Sequence, residues 1–356
     1  MAEVQVLSGV GDKGPACLRV THPGGCWLLD CGHGPEESAP FRTEWLEGVD
    51  AVFISHDHVD HIGGAVHVIA AGLPIYTTAI TARALPPGAR VSEIPVQGRM
   101  RIGGVTLTTG RNGHALGGVW MHFDLGRGLF YSGDWSEESH WFAFDEPPAA
   151  RTALIDASYH LDPVPQTRRK ADLDALLAGL PGQVLLPVPP SGRAGELALH
   201  LMGQGSLGLD DTCRDVLAAA LGAGPSAGIS EAAHALAPLL EHPFDPEARF
   251  LLCDTPNAEA GAARALLERA QRAGRLGRDF HVVFTGHMTA HARALAAHPG
   301  VHFTRWNVHP PLGDQLALVD RLGVERFVPL FCPLPEDYLV EDRTPARLFF
   351  HERVSL

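Results

Sequence analysis

Residues Ile54-Ser55-His56-Asp57-His58-Val59-Asp60-His61 constrain this chain more than any other stretch. They follow the apolar run 51–55 and precede an expected helix over 61–71, so one turn at a strand end presents three imidazoles and a carboxylate together. Imidazole nitrogen and carboxylate oxygen suit Zn²⁺, with Mn²⁺ or Fe²⁺ as alternatives, and the His-x-His-x-Asp-His spacing serves two neighbouring metal positions. A polar loop that binds nothing would have no reason to carry this donor set at a strand-to-helix junction. Asp57, between two of the histidines, is given no ligand role.

The rest of the sequence divides by texture. Residues 1–165 read as short strands punctuated by Gly, Pro and Asn, at 4–8, 16–20, 26–30, 51–55, 74–77, 105–109, 119–125, 128–132 and 152–156. Residues 166–280 alternate helical stretches with strand-like runs at 183–188, 224–229 and 249–253, which predicts a smaller α/β unit. Residues 281–356 turn strand-rich again, with one helix expected at about 313–322. The predicted architecture is a large layered α/β domain whose first part is 1–165 and whose C-terminal return is 281–356, interrupted by an inserted cap at 166–280.

Composition excludes several alternatives. With 356 residues and 45% hydrophobic content the chain is an ordinary folded protein, and no apolar run approaches the roughly 20 residues of a membrane span. The N-terminus has no basic segment ahead of an apolar one, so a cytoplasmic protein with no membrane contact is expected. Six cysteines without a Cys-x-x-Cys pair imply neither disulfides nor a cysteine zinc site. A net charge of −13 argues against coating nucleic acid by bulk electrostatics, which needs clustered Lys and Arg. Residues 1–165 alone hold 19 acidic against 10 basic residues, so much of the acidity lies with the histidine cluster, where bound cations would offset it.

The octet resembles the signature of the metallo-β-lactamase superfamily, and further segments are similar to that family's motifs. Cys26-Trp27-Leu28-Leu29-Asp30-Cys31-Gly32 looks like its first motif, Asn112-Gly113-His114 its third and Ser132-Gly133-Asp134 its fourth. The resemblance implies a four-layer αβ/βα sandwich. It implies His56, His58, His114 and Asp134 around one metal and Asp60, His61, Asp134 and a late histidine around the second, with Asp30 orienting the histidines from behind. His309 is preferred for the late position because it precedes a helix, with His302 and His298 as competitors.

Within that superfamily, Leu154-Ile155-Asp156-Ala157-Ser158-Tyr159 and Gly192-Arg193-Ala194-Gly195-Glu196-Leu197 resemble the β-CASP branch, which includes RNase J and mRNA 3′-end processing endonucleases. That likeness implies a di-metal phosphodiesterase or nuclease acting on RNA or single-stranded DNA through a metal-bridged hydroxide. Asp60 serves both metal binding and catalysis, and Asp156 would orient His287 or His291 as general acid. Arg193 could hold phosphate, or instead pair with Glu196. The five arginines at 264, 269, 272, 275 and 278 form either a phosphate-tracking patch or a solvated helix face. The cap is short for this branch, no RNA-binding module accompanies it, and Trp135-Ser136-Glu137-Glu138 stands where the nucleases carry an arginine. A small-molecule hydrolase of a phosphodiester, lactone or thioester is therefore the alternative, a metal-retaining scaffold a third reading, and a homodimer is left open.

Overall fold

The computed structural model describes residues 2–11, 14–34, 40–338, 346–349 and 353–356. Among these, two seven-stranded sheets and one five-stranded sheet are formed. The first sheet runs in the order Arg353–Ser355, Glu3–Ser8, Cys17–His22, Gly25–Leu29, Ala51–Phe53, Pro74–Thr77 and Arg90–Glu93. The second runs Arg347–Leu348, Arg326–Leu330, Thr152–Asp156, Leu129–Tyr131, Val119–Phe123, Val105–Arg111 and Gly98–Ile102.

Burial shows how these sheets are layered. Val4, Leu18, Trp27, Leu29 and Phe53 of the first sheet pack against Leu107, Met121, Phe123, Tyr131 and Leu330 of the second, forming the core between them. The opposite faces are also covered: Leu28, Val52 and Ile54 lie under the helix Ala65–Ala70, and Ala153, Ile155 and Phe327 under the helix Leu312–Leu322. A strand covered on both faces reads as an apolar run, as Ala153-Leu154-Ile155 does within Thr152–Asp156, which is buried throughout. The result is the expected αβ/βα sandwich. No helix among the described residues is long and apolar enough to cross a membrane, and none of the six cysteines is in a disulfide.

The third sheet is wholly parallel, in the order Leu207–Leu209, Phe250–Cys253, Gln183–Pro187, Phe280–Phe284 and Val301–Phe303. Helices cover both of its faces, through Leu173, Leu197 and Leu217 on one side and Leu266, Leu267 and Ala292 on the other. Its last two strands begin at residues 280 and 301. The inserted unit therefore runs from the helix Gln166–Ala178 through Val301–Phe303, and the boundary expected at 280 falls inside it. The expected strand at 224–229 is a different local structure: Pro225–Ala227 is a 3₁₀ turn between Gly224 and Gly228, both at positive φ, and only Ile229 bridges to Phe142. Proline and glycine there break the extended run.

One backbone approach fixes the histidine turn to the first sheet. Cys31 N donates to His61 O, Gly32 N to Ala16 O, His33 N to Val59 O, and Ala16 N to Asp60 O. A Cβ on Gly32 would stand 1.7 Å from the Asp60 carbonyl oxygen, so no larger residue fits without moving the turn. Gly32→Ala should destabilise the protein by about 1–3 kcal/mol or more. Gly313→Ala, in a helix where a Cβ meets nothing within 4 Å, should stabilise it by about 0.5–1 kcal/mol. Thermal denaturation of the two variants checks both signs; equal melting temperatures would contradict the close approach.

Candidate metal centre

The turn after Ala51–Phe53 places its side chains by means of a buried carboxylate. Asp30 follows Gly25–Leu29 in left-handed backbone at φ +57° and is inaccessible to water. Its Oδ1 accepts Ser55 N at 2.7 Å, and its Oδ2 accepts Ser55 Oγ at 2.7 Å and lies 2.6 Å from His61 Nδ1. Tyr131 OH also donates to Oδ2 in a very short contact. With Nδ1 committed to Asp30, His61 presents Nε2 to Asp134 Oδ1 at 3.1 Å.

Asp134 is the point of convergence. Donor atoms of His56, His58, His114 and Asp134 all lie within 4.8 Å of one another, and so do those of Asp60, His61 and Asp134. His114 Nε2 is 3.1 Å from His58 Nδ1 and 3.5 Å from Asp134 Oδ2, while its Nδ1 meets the Val308 carbonyl at 2.7 Å. His56 Nε2 is buried and has no hydrogen-bond partner, 3.9 Å from Asp134 Oδ2. Asp57 is exposed.

The electrostatics fit cations at this cluster. Burial first, then the neighbouring His61 and His58, hold His56 well below the usual imidazole range, and burial does the same for His114. Both are thus neutral, the form that ligates metal. Burial also opposes charge on His61, but Asp134 and Asp30 outweigh it and hold His61 well above the ordinary value, which marks a place that favours positive charge. An orphaned buried imidazole nitrogen beside a shared carboxylate is the donor chemistry a divalent ion satisfies.

The late histidine is placed differently from expectation. His309 Nδ1 lies 2.8 Å from Asp156 Oδ2 and 3.7 Å from Asp134 Oδ2, so it is grouped with these two carboxylates and not with Asp60 and His61. The other oxygen of Asp156 accepts Ser158 N at 2.8 Å and Ser158 Oγ at 2.6 Å. The partner of Asp156 is therefore His309, in place of the expected His287 or His291. His287 lines the same cavity as His309. His291 is exposed and lines another, with Glu259, Arg264 and Glu268. His302 pairs with His281 at 3.4 Å and His298 accepts from Gly300 N, so both competitors for the late ligand position are occupied elsewhere.

Arg193 does not pair with Glu196, which accepts from Ser139 Oγ and the His140 and Trp141 amides. The other arginines resolve as a solvated face: Arg264 and Arg272 meet Glu268, Arg269 meets Glu247, and Arg275 and Arg278 meet Asp279. Ser55 and Tyr131, which hold Asp30, were not singled out from sequence. Their signal was position, since one precedes His56 and the other lies three residues before Asp134.

Residues 27–174 match the family described as Beta-lactamase superfamily domain, and His56, His58, Asp60, His61, His114 and Asp134 all lie inside the match. No curated protein matches the chain. Among solved structures it is similar to a protein of unknown function from Enterococcus faecalis V583, at 16% identity and a TM-score of 0.66 over the full length of both chains. That likeness is one of fold. His56→Ala should keep the fold and lose bound metal, whereas Asp30→Ala should weaken metal affinity by about 10–100-fold. Metal content after dialysis measures both; full retention in His56→Ala would contradict the donor assignment.

Proposed function

We propose that the chain is a di-metal hydrolase of phosphodiesters, with RNA or single-stranded DNA as its substrate class. His56, His58, His114 and Asp134 would hold one divalent ion and Asp60, His61 and Asp134 the other, with Zn²⁺ the best fit to the donors. Bound there, the ions would supply hydroxide at neutral pH and neutralise charge on a phosphoryl oxygen.

The observation that carries the reading is the place of His309. It lies between Asp156 and the metal donor Asp134, and it borders a cavity of about 490 Å³ lined by Arg193, Arg293 and Arg305, with no carboxylate in the lining. Phosphodiester cleavage needs a proton for the departing alkoxide. With Nδ1 committed to Asp156, the proton His309 can deliver is the one on Nε2. Tyr159 packs edge-on against the His309 ring at 5.3 Å, and its hydroxyl accepts Val308 N and donates to Trp306 O. These contacts fix the backbone on which His309 is carried. A cationic lining favours a phosphodiester over a neutral lactone or thioester.

A smaller substrate is the second reading, because this cavity and a neighbouring one of about 210 Å³, bordered by His58, His114 and Phe142, are of small volume. They admit a small phosphodiester or the end of a strand. Salt separates the two cases: KM for an oligonucleotide should rise steeply with ionic strength, and KM for a small diester should not.

His309→Gln should lower kcat by about 10²–10⁴-fold on a diester with an alkoxide leaving group. A p-nitrophenyl diester, whose leaving group needs no proton, should be affected far less, and metal content should be retained. Loss of metal in His309→Gln would return His309 to the ligand role expected from sequence. Hydrolysis of lactones or thioesters with no cleavage of any oligonucleotide or small diester would overturn the proposal.

A further inference from the structure

The stretch Trp135-Ser136-Glu137-Glu138, which stands where the nucleases of the resembled branch carry an arginine, supplies no metal donor. Glu138 instead joins three parts of the chain. Its Oε1 accepts Gln166 N at 2.6 Å, at the start of the inserted unit's helix Gln166–Ala178. Its Oε2 accepts Asn307 Nδ2 at 3.2 Å, in the segment 304–311 that carries His309.

The backbone under Glu138 is tied to the metal donors. Glu138 N donates to Ser136 Oγ at 3.2 Å, and Ser136 N donates to Asn112 O at 3.0 Å. Asn112 Oδ1 in turn accepts His114 N at 3.0 Å. The packing is close here, since a Cβ on Gly113 would stand 1.9 Å from the Ser136 carbonyl oxygen. The Glu138 carboxylate is therefore carried on the same framework as His114.

Asn307 is buried and held on every side. Its Nδ2 also donates to Val164 O at 2.9 Å, its N donates to Gln166 Oε1 at 2.8 Å, and its Oδ1 accepts Arg169 Nε at 3.4 Å. Gln166 and Arg169 belong to the inserted unit and Val164 to the link leading into it, so Glu138 is the partner that ties Asn307 to the metal-donor framework. Asp314, five residues after His309, faces the same carboxylate: burial first, then Glu138 and Glu137, push its carboxyl up to about 6 against the pull of Arg321. With a like charge on that side, the hydrogen bonds from Gln166 and Asn307 are the contacts that hold Glu138, and an ionised acceptor strengthens both.

We propose that Glu138 is a positioning residue, whose carboxylate fixes the segment 304–311 through Asn307 and so holds His309 at the reacting ester. The inference rests on the phosphodiesterase reading above and names what sets the reach of its proton donor. In this role Glu138 touches neither substrate nor metal and acts through Asn307.

Glu138→Gln keeps one carbonyl oxygen for two donors, so one of the two bonds is lost. In Zn²⁺-loaded protein it should lower kcat about 10–100-fold on a diester with an alkoxide leaving group, with KM little changed. Turnover of a p-nitrophenyl diester and metal content should stay near wild type. Asn307→Asp breaks the same contact by setting two carboxylates together, and it serves if Glu138→Gln does not fold. The double variant Glu138→Gln/Asn307→Asp exchanges donor and acceptor across the contact, so its kcat should exceed that of either single variant. The setting of His309 is read without turnover from its imidazole NMR resonances, assigned with His309→Gln. They should shift in Glu138→Gln, return towards wild type in the double variant and stay in place in Glu325→Gln, a surface control that loses an ion pair with Arg127. That pattern of shifts with no diester cleaved would keep the positioning role and reject the diesterase reading. Equal losses on the two leaving groups, a double variant no better than the singles, or His309 resonances indifferent to Glu138→Gln would overturn it.

Discussion

A single carboxylate cut off from water holds the two halves of the sandwich to the candidate centre. Removing a carboxylate from water costs several kcal/mol unless donors replace its hydration, and Asp30 takes its donors from both sheets: Ser55 follows Ala51–Phe53 in the first, and Tyr131 ends Leu129–Tyr131 in the second. The same carboxylate takes His61 Nδ1, which leaves Nε2 as the nitrogen facing Asp134. Sheet packing and imidazole orientation are thus one constraint. Any shift between the sheets at this end would unsatisfy Asp30 and turn His61 together.

What could be read from sequence follows the range of the interactions involved. His56, His58, Asp60 and His61 share one turn, Asp30 directly follows an apolar strand and Asp134 lies three residues beyond another, so short stretches of chain announce their placement. The pairing of Asp156 with His309 joins residues 153 apart and has no local signature. The same limit explains the inserted unit: Phe280–Phe284 is buried throughout and would look alike in any parallel sheet, and only its pairing with Gln183–Pro187 assigns it. The run 224–229 departs from the strand expected there for a different reason, since its glycines and Pro225 outweigh the apolar residues between them.

Net charge is a poor scale on which to judge whether a chain can hold an anion. The dense arginine series at 264–278 is matched by Glu247, Glu268 and Asp279, so its charge is spent locally on the surface. Arg193 stands alone in sequence, yet it meets Arg293 and Arg305 in a lining free of carboxylates. A field is set by which charges share a desolvated space, where the effective dielectric is low, and not by the total over the chain.

The chemistry divides between the two parts of the protein along a traceable line. All the proposed metal donors come from the sandwich, whereas Arg193, Arg293 and the cavity wall at Gly286 come from the inserted unit. His309 belongs to the strap between them, residues 304–311, which leaves the unit after Val301–Phe303 and enters the sandwich helix Leu312–Leu322. The strap is pinned from several directions: Trp306 N donates to Thr285 O, Asn307 N to Gln166 Oε1, Val308 N to Tyr159 OH, and His309 reaches Asp156. Displacing the inserted unit would therefore move His309 relative to His56, His58, His61, His114 and Asp134. A substrate held both by the inserted unit and at Asp134 would bridge the two parts, so binding energy gained on one side could be spent on fixing His309 relative to the other.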